Sequence, residues 1–195
     1  MYKRQVLFWI ADGTGHGAAA ALLTTLAKLL FHHGSMDHDS PASLMEGVDN
    51  DFRSTFGARS FMTAMCVALD PATGQAQVVG AGHPPLLVVH HNGTTESIAS
   101  VAPPLGMIKR SAFTETAIDL GPGDAFLLYT DGLFNWSKDE RHRVTPEQLE
   151  KALDHSAPSA EALLKRIVAQ TAPENSAKTA PDDVAAIVVR REDRQ

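Results

Sequence analysis

Residues 6–11, VLFWIA, make a short apolar run rich in β-formers, and this pattern predicts a core strand. Residues 17–31 then carry Ala and Leu at every helical offset, which predicts a helix that is apolar nearly all round and buried on most of its sides. Ser40 and Pro41 offer an N-cap and first-turn pair for a second helix through residue 55, leaving FHHGSMDHDSP as a loop between the two. The period then changes. Residues 61–70 (FMTAMCVALD) and 75–82 (QAQVVGAG) flank the turn PATG, while LLVVHH and TTESIAS flank Asn92-Gly93, a strong hairpin signal. Residues 112–120 alternate polar with apolar, and GPGD turns the chain into AFLLYTD at 125–131. These segments predict about six antiparallel strands in one meander. Thr145 and Gln148 form a Thr-x-x-Gln capping box for a helix, a further helix covers 159–171, and VAAIVVRR at 184–191 closes the chain as a strand. Helices before and after an antiparallel block predict an α+β fold whose helices cover the faces of the sheets.

The chain has 195 residues with no linker-like composition shift, so it reads as one domain over 1–195. MYKRQ, residues 1–5, is polar and abruptly precedes a core strand; it reads as a non-native start, with earlier strands of the domain missing. An apolar content of 44% with 21% charged residues excludes wholesale disorder. The net charge of −6 argues against a nucleic-acid surface, which needs clustered Lys and Arg. No stretch reaches the ~18 uninterrupted apolar residues of a membrane span and no signal-peptide layout is present, so the expected location is cytoplasmic. The single cysteine, Cys66, lies in an apolar run and reads as a buried small hydrophobe.

Two chemistries compete for the segment ADGTGHGAAAALL. Gly13-x-Gly15-x-x-Ala18 between a strand and a helix satisfies a loose dinucleotide-binding pattern. That reading needs an acidic residue at the end of a second parallel strand, whereas Asp37 and Asp39 fall in a loop and antiparallel hairpins follow; no nucleotide cofactor is expected. The alternative is a metal site. Asp12 and Asp131 each end an apolar strand, and Asp182 and Asp183 begin one, so antiparallel pairing can bring them to one edge. Carboxylates gathered that way raise each other's pKa unless a divalent cation compensates them, and an all-oxygen set favours Mg²⁺ or Mn²⁺. Gly13, having no Cβ, can turn its carbonyl toward an ion. Taken singly, TDG is an ordinary turn and DD before a strand an ordinary cap; their joint occurrence points to metal.

The same segments resemble, in order from residue 6 to 191, the PPM-type (protein phosphatase 2C-like) metal-dependent phosphatases, in the bacterial branch of stage II sporulation protein E and the sigma-factor regulators. ADGTGHGAAAALL, FMTAMCVALD, GAGHPPLLVV, PPLG, LGPGDAFLLYTDGL and APDDVAAIVVRR carry the resemblance. It implies an α-β-β-α sandwich of two mostly antiparallel sheets flanked by helices, with two Mn²⁺ or Mg²⁺ ions at one edge. By this likeness Asp12 would bridge both ions, the Gly13 carbonyl would bind one, and Asp131 and Asp182 the other. Asp183 would be a neighbouring ligand or support. The activity implied is hydrolysis of phosphoserine or phosphothreonine by a metal-activated water. The substrate implied is a phosphorylated regulatory protein such as an anti-sigma-factor antagonist, and an upstream sensor domain or a homodimer would accompany it. His16 would protonate the leaving oxygen or fix its loop. His83, at a proline turn, reads as structural, and the pairs His32-His33 and His90-His91 read as surface. The family's Gly-Gly-Asp-x-Tyr-Asp strand is not matched here, Ala185 stands where a Thr is usual, and Asn135-Trp136 replace a common acid. A non-catalytic relict of the fold, binding a partner as a scaffold, is the rival to the enzyme.

Overall fold

The computed structural model describes residues 5–15, 17–57, 60–109, 111–133, 146–153, 155–171 and 183–192. The chain forms two compact units.

The first unit comprises Met1–Pro85 and Ala99–Asp119. It contains β1 (Val6–Gly13), α1 (Ala18–Asp37), α2 (Pro41–Phe56), β2 (Met62–Leu69) and β3 (Gln75–Ala81). The second unit, Leu86–Ile98 and Leu120–Gln195, supplies β4 (Leu86–Val89) and β5 (Thr95–Ile98) before the chain returns to the first as β6 (Thr116–Asp119). The first sheet is antiparallel with order β1-β2-β3-β6, its register pairing Asp12 with Thr63 and Gly13 with Met62. Residues paired across antiparallel strands share a face. Met62, Ala64 and Cys66 therefore turn toward α1 and α2, where Leu23, Ala27 and Phe31 of α1 and Leu44, Met45, Val48 and Phe52 of α2 complete one core. Trp9 stacks on Phe31 with ring centroids 4.5 Å apart. Cys66 is buried as expected, and burial pushes its thiol pKa up.

The two helices repay different expectations. α2 begins where Ser40 and Pro41 predict, and Ser40 and Ser43 exchange side-chain and backbone hydrogen bonds in a capping box. α1 continues six residues past its expected end, through most of the stretch read as loop. It is also not buried on most sides: Leu22 is 70% exposed, Leu29 49% and Met36 63%. Apolar composition sets what a helix can bury, and only one of its faces meets a sheet.

The second unit continues with β7 (Ala125–Tyr129), a 3₁₀ turn at Asp131–Leu133, α3 (Pro146–Ala152), α4 (Ala160–Thr171) and β8 (Ala186–Arg190). Its antiparallel sheet runs β5-β4-β7-β8. Leu149 and Leu153 from α3 and its end, with Leu163 and Ile167 of α4, pack on Leu87, Val89, Leu127 and Tyr129. The Ser159 hydroxyl caps α4 by accepting from Ala162 N–H, while the Thr145 half of the expected capping box lies outside the described residues.

The fold class is α+β, as the pattern predicts, and its two antiparallel sheets with accompanying helices are what the resemblance implies. The expected single meander does not form. β3 does not pair with β4; it pairs with β6, and β4 pairs with β5 and β7. Pro84 and Pro85 supply the reason: without N–H groups they cannot extend the ladder beyond Ala81, so the chain leaves one sheet and enters the other. The expected strand at 112–120 is regular only from Thr116.

Candidate metal centre

Each unit carries an acidic strand end. In the first, β1 delivers Asp12, partly buried, on the face of the sheet that Thr63 shares and that lies opposite α1 and α2. Thr63 donates its hydroxyl to the Asp12 carbonyl at 3.4 Å, and the same oxygen lies 2.9 Å from His83 Nδ1. Gly13 has a packing reason to lack a side chain: a Cβ there would run into the side chain of Leu23 on α1. Beyond it Thr14 is tied to Phe61 by its backbone N–H at 3.3 Å and its hydroxyl at 3.1 Å, so the ladder grips the chain up to the glycine loop.

In the second unit, β7 and β8 run antiparallel, with Tyr129 opposite Ala186. Continuing that register places Asp131, at the exit of β7, beside the residues that lead into β8. The Thr130 hydroxyl donates to the Asp183 carbonyl at 3.0 Å and accepts from Ala185 N–H at 2.9 Å, while Thr130 N–H donates to the Ala185 carbonyl at 3.0 Å. A Cβ on Gly132 would strike the Asp183 backbone carbonyl, so glycine is required for that approach. Asp131 and Asp183 are both exposed.

These acids differ from Asp124 at the other end of β7. Asp124 is buried and accepts from Gly121 N–H at 2.9 Å, His91 N–H at 2.8 Å and the His90 ring at 2.8 Å, with the His91 ring at 3.2 Å. Burial works to raise its pKa, but the His91, His90 and Gly121 hydrogen bonds prevail and hold it below the ordinary carboxylate value. This corrects the surface reading of His90, which stacks its bonds between Asp124 and, at 3.8 Å, Glu96. Neighbouring turns bring these groups together, and nothing in a local His-His pair announces it.

Of the candidate site residues, Asp12 and Gly13 are neighbours on β1, and the Asp183 backbone lies against Thr130 and Gly132, the residues on either side of Asp131. His16 and Asp182 lie outside the described residues. Among the described residues no group of three or more His, Cys, Asp or Glu side chains is close enough to hold an ion. The donors present are carboxylates carried at strand ends, Asp12 on β1 and Asp131 and Asp183 where β7 meets β8. That chemistry fits a hard divalent cation such as Mg²⁺ or Mn²⁺. What sequence reasoning missed is the pair of supporting threonines, Thr63 and Thr130; their only sequence signal is a hydroxyl inside or at the end of an otherwise apolar strand.

Two antiparallel sheets with helices and aspartates at the strand ends define a protein phosphatase 2C-like architecture, and solved structures share it. The SiaA PP2C domain of Pseudomonas aeruginosa superposes with a TM-score of 0.84 at 23% identity, over 97% of this chain and 77% of that one. RsbX in complex with magnesium gives a TM-score of 0.72 at 16% identity, over 96% and 82%. The chain belongs to the stage II sporulation protein E (SpoIIE) family, whose profile matches residues 2–192. Among characterised relatives it is 32% identical over 130 residues to the phosphoserine phosphatase RsbP of Bacillus subtilis (strain 168), a match covering 65% of this chain and 32% of RsbP. The chain thus spans about a third of that relative's length. No described helix is long and apolar enough to cross a membrane.

Proposed function

We propose that the chain is one metal-dependent protein serine/threonine phosphatase domain, acting in the cytoplasm on phosphoserine or phosphothreonine of a bacterial regulatory protein such as an anti-sigma-factor antagonist. The observation that supports this reading is the joined end of β7 and β8, where the Thr130 hydroxyl bonds the Asp183 backbone carbonyl and two acidic residues, Asp131 and Asp183, fall at one strand end in a chain of the SpoIIE family. Asp12, the Gly13 carbonyl, Asp131, Asp182 and Asp183 are assigned as ligands of two Mn²⁺ or Mg²⁺ ions, and RsbX with magnesium supports that choice of metal. When bound, such ions supply hydroxide from water near neutral pH and offset charge on the phosphoryl oxygens. The chain's own part is to hold the strand ends that carry the carboxylates, through the β1–β2 ladder and the Thr130 clamp. His16 is assigned to give a proton to the departing serine or threonine oxygen. An upstream sensor domain or a second copy of the chain would control access.

Hydrolysis of p-nitrophenyl phosphate and of a phosphoserine peptide, with and without Mn²⁺, tests the proposal. Turnover should require the metal. It should fall in Asp12→Ala and Asp131→Ala by more than the roughly 10²-fold that loss of an outer partner costs a metal site. Turnover indifferent to Mn²⁺ and to both substitutions would leave a partner-binding scaffold in place of an enzyme.

A further inference from the structure

The turn after β3 holds a buried imidazole that the proposed chemistry does not use. His83 is 5% exposed. Its backbone is fixed without the ring: its N–H donates to the Ser100 hydroxyl at 3.0 Å, and its carbonyl accepts from that hydroxyl at 2.7 Å. The ring is thus not needed to shape the turn. Instead its Nδ1 meets Thr63 Oγ1 at 2.9 Å. Thr63 is the sole hydroxyl-bearing residue of β2 and the register partner of Asp12.

A threonine hydroxyl has one proton, and the contact with the Asp12 carbonyl at 3.4 Å requires it. Both contacts of the Thr63 oxygen are satisfied together when the ring donates from Nδ1. We propose that His83, as the Nδ1–H tautomer, is a positioning residue for Asp12: it orients the Thr63 hydroxyl, which holds the Asp12 carbonyl and with it the end of β1. The proposal rests on Asp12 being a metal ligand. It extends the support of that ligand to a turn about twenty residues beyond its strand partner, in the way that outer partners orient the groups that bind a metal.

The test uses the full chain and four substitutions: Thr63→Val and His83→Leu remove the relay, while Thr63→Ser and His83→Asn keep a hydroxyl and a donor near Nδ1. Mn²⁺ binding is followed by calorimetry and by the metal-dependent rise in unfolding temperature; the metal-free protein is unfolded in parallel, and the His83 tautomer is read by long-range ¹H–¹⁵N correlation. Thr63→Val and His83→Leu should each weaken Mn²⁺ binding about tenfold, with the double substitution little worse than either alone. Thr63→Ser and His83→Asn should recover most of the affinity, and the wild-type ring should carry its proton on Nδ1. If Thr63→Val and His83→Leu only lower the metal-free unfolding temperature and leave Mn²⁺ affinity at the wild-type value, or if the proton sits on Nε2, the relay is overturned while the phosphatase reading stands. If wild type does not bind Mn²⁺, or Asp12→Asn binds it equally well, the ligand assignment falls first and takes the relay with it.

Discussion

Thr63 and Thr130 each set a hydroxyl against the backbone of an acidic strand end, but the two braces are made of different parts. Thr130 is buried, and among the described residues its hydroxyl bonds to backbone, including the Asp183 carbonyl and the Ala185 N–H, so its clamp forms whenever β7 and β8 pair. Thr63 reaches the Asp12 carbonyl on one side and the ring of His83 on the other. One brace is part of a ladder; the other passes through a side chain that a substitution can remove without touching any strand. Support of the first kind is written into folding stability, whereas support of the second kind can be lost from a folded protein.

The sharpest way to break the backbone brace is Gly132→Ala, because the new methyl would occupy the place of the Asp183 carbonyl. The ends of β7 and β8 would have to part, at a cost of about 3 kcal/mol in urea unfolding. Since the same movement separates Asp131 from Asp183, Mn²⁺ affinity should fall with stability. Unchanged stability would show that the two segments do not touch.

Next in size is Asp124, which opens β7 as Asp131 closes it and contrasts a buried carboxylate spent on hydrogen bonds with an exposed one. Its folded pKa lies below the ordinary 3.8, so the hydrogen bonds to it stabilise the fold fully above that value and are lost as pH falls through the depressed folded value. Asp124→Asn should cost about 2 kcal/mol at pH 7, because an amide nitrogen would face donors. It should also flatten the acid limb of the curve of stability against pH. Calorimetric or urea unfolding between pH 7 and 2 would read both effects, and Mn²⁺ binding by the folded protein should not change.

How much of this was legible in the sequence follows from the range of each interaction. Ser40-Pro41 announced α2, and Asn92-Gly93 announced the β4–β5 hairpin, because caps and tight turns are settled within four residues. The aspartates at strand ends were visible for the same reason. Period distinguishes the two faces of a strand but names no partner, so the division into two sheets escaped the pattern, although Pro84-Pro85 marked the place where the ladder stops. The pattern reads Leu22 and Leu29 as buried, because composition does not say how many faces of α1 a sheet covers. The bonds of His83 to Thr63 and of His90 to Asp124 span 20 and 34 positions and leave no local mark.

The smallest effect separates the two braces most directly. Thr130→Val keeps shape and removes a buried hydroxyl that accepts from the Ala185 N–H and donates to the Asp183 carbonyl, at about 1 kcal/mol; Thr130→Ser should restore most of it. The backbone bond from Thr130 N–H to the Ala185 carbonyl survives either change, so β7 and β8 stay paired and Asp131 keeps its neighbour. Thermal unfolding without metal should therefore register Thr130→Val clearly, while the Mn²⁺ titration of the folded protein moves little. Thr63→Val should do the reverse, because the β1–β2 ladder holds Asp12 opposite residue 63 whatever its side chain and only the relay from His83 is cut. If both valine variants shift the same measurement in the same proportion, the two hydroxyls do one job and the distinction between them fails.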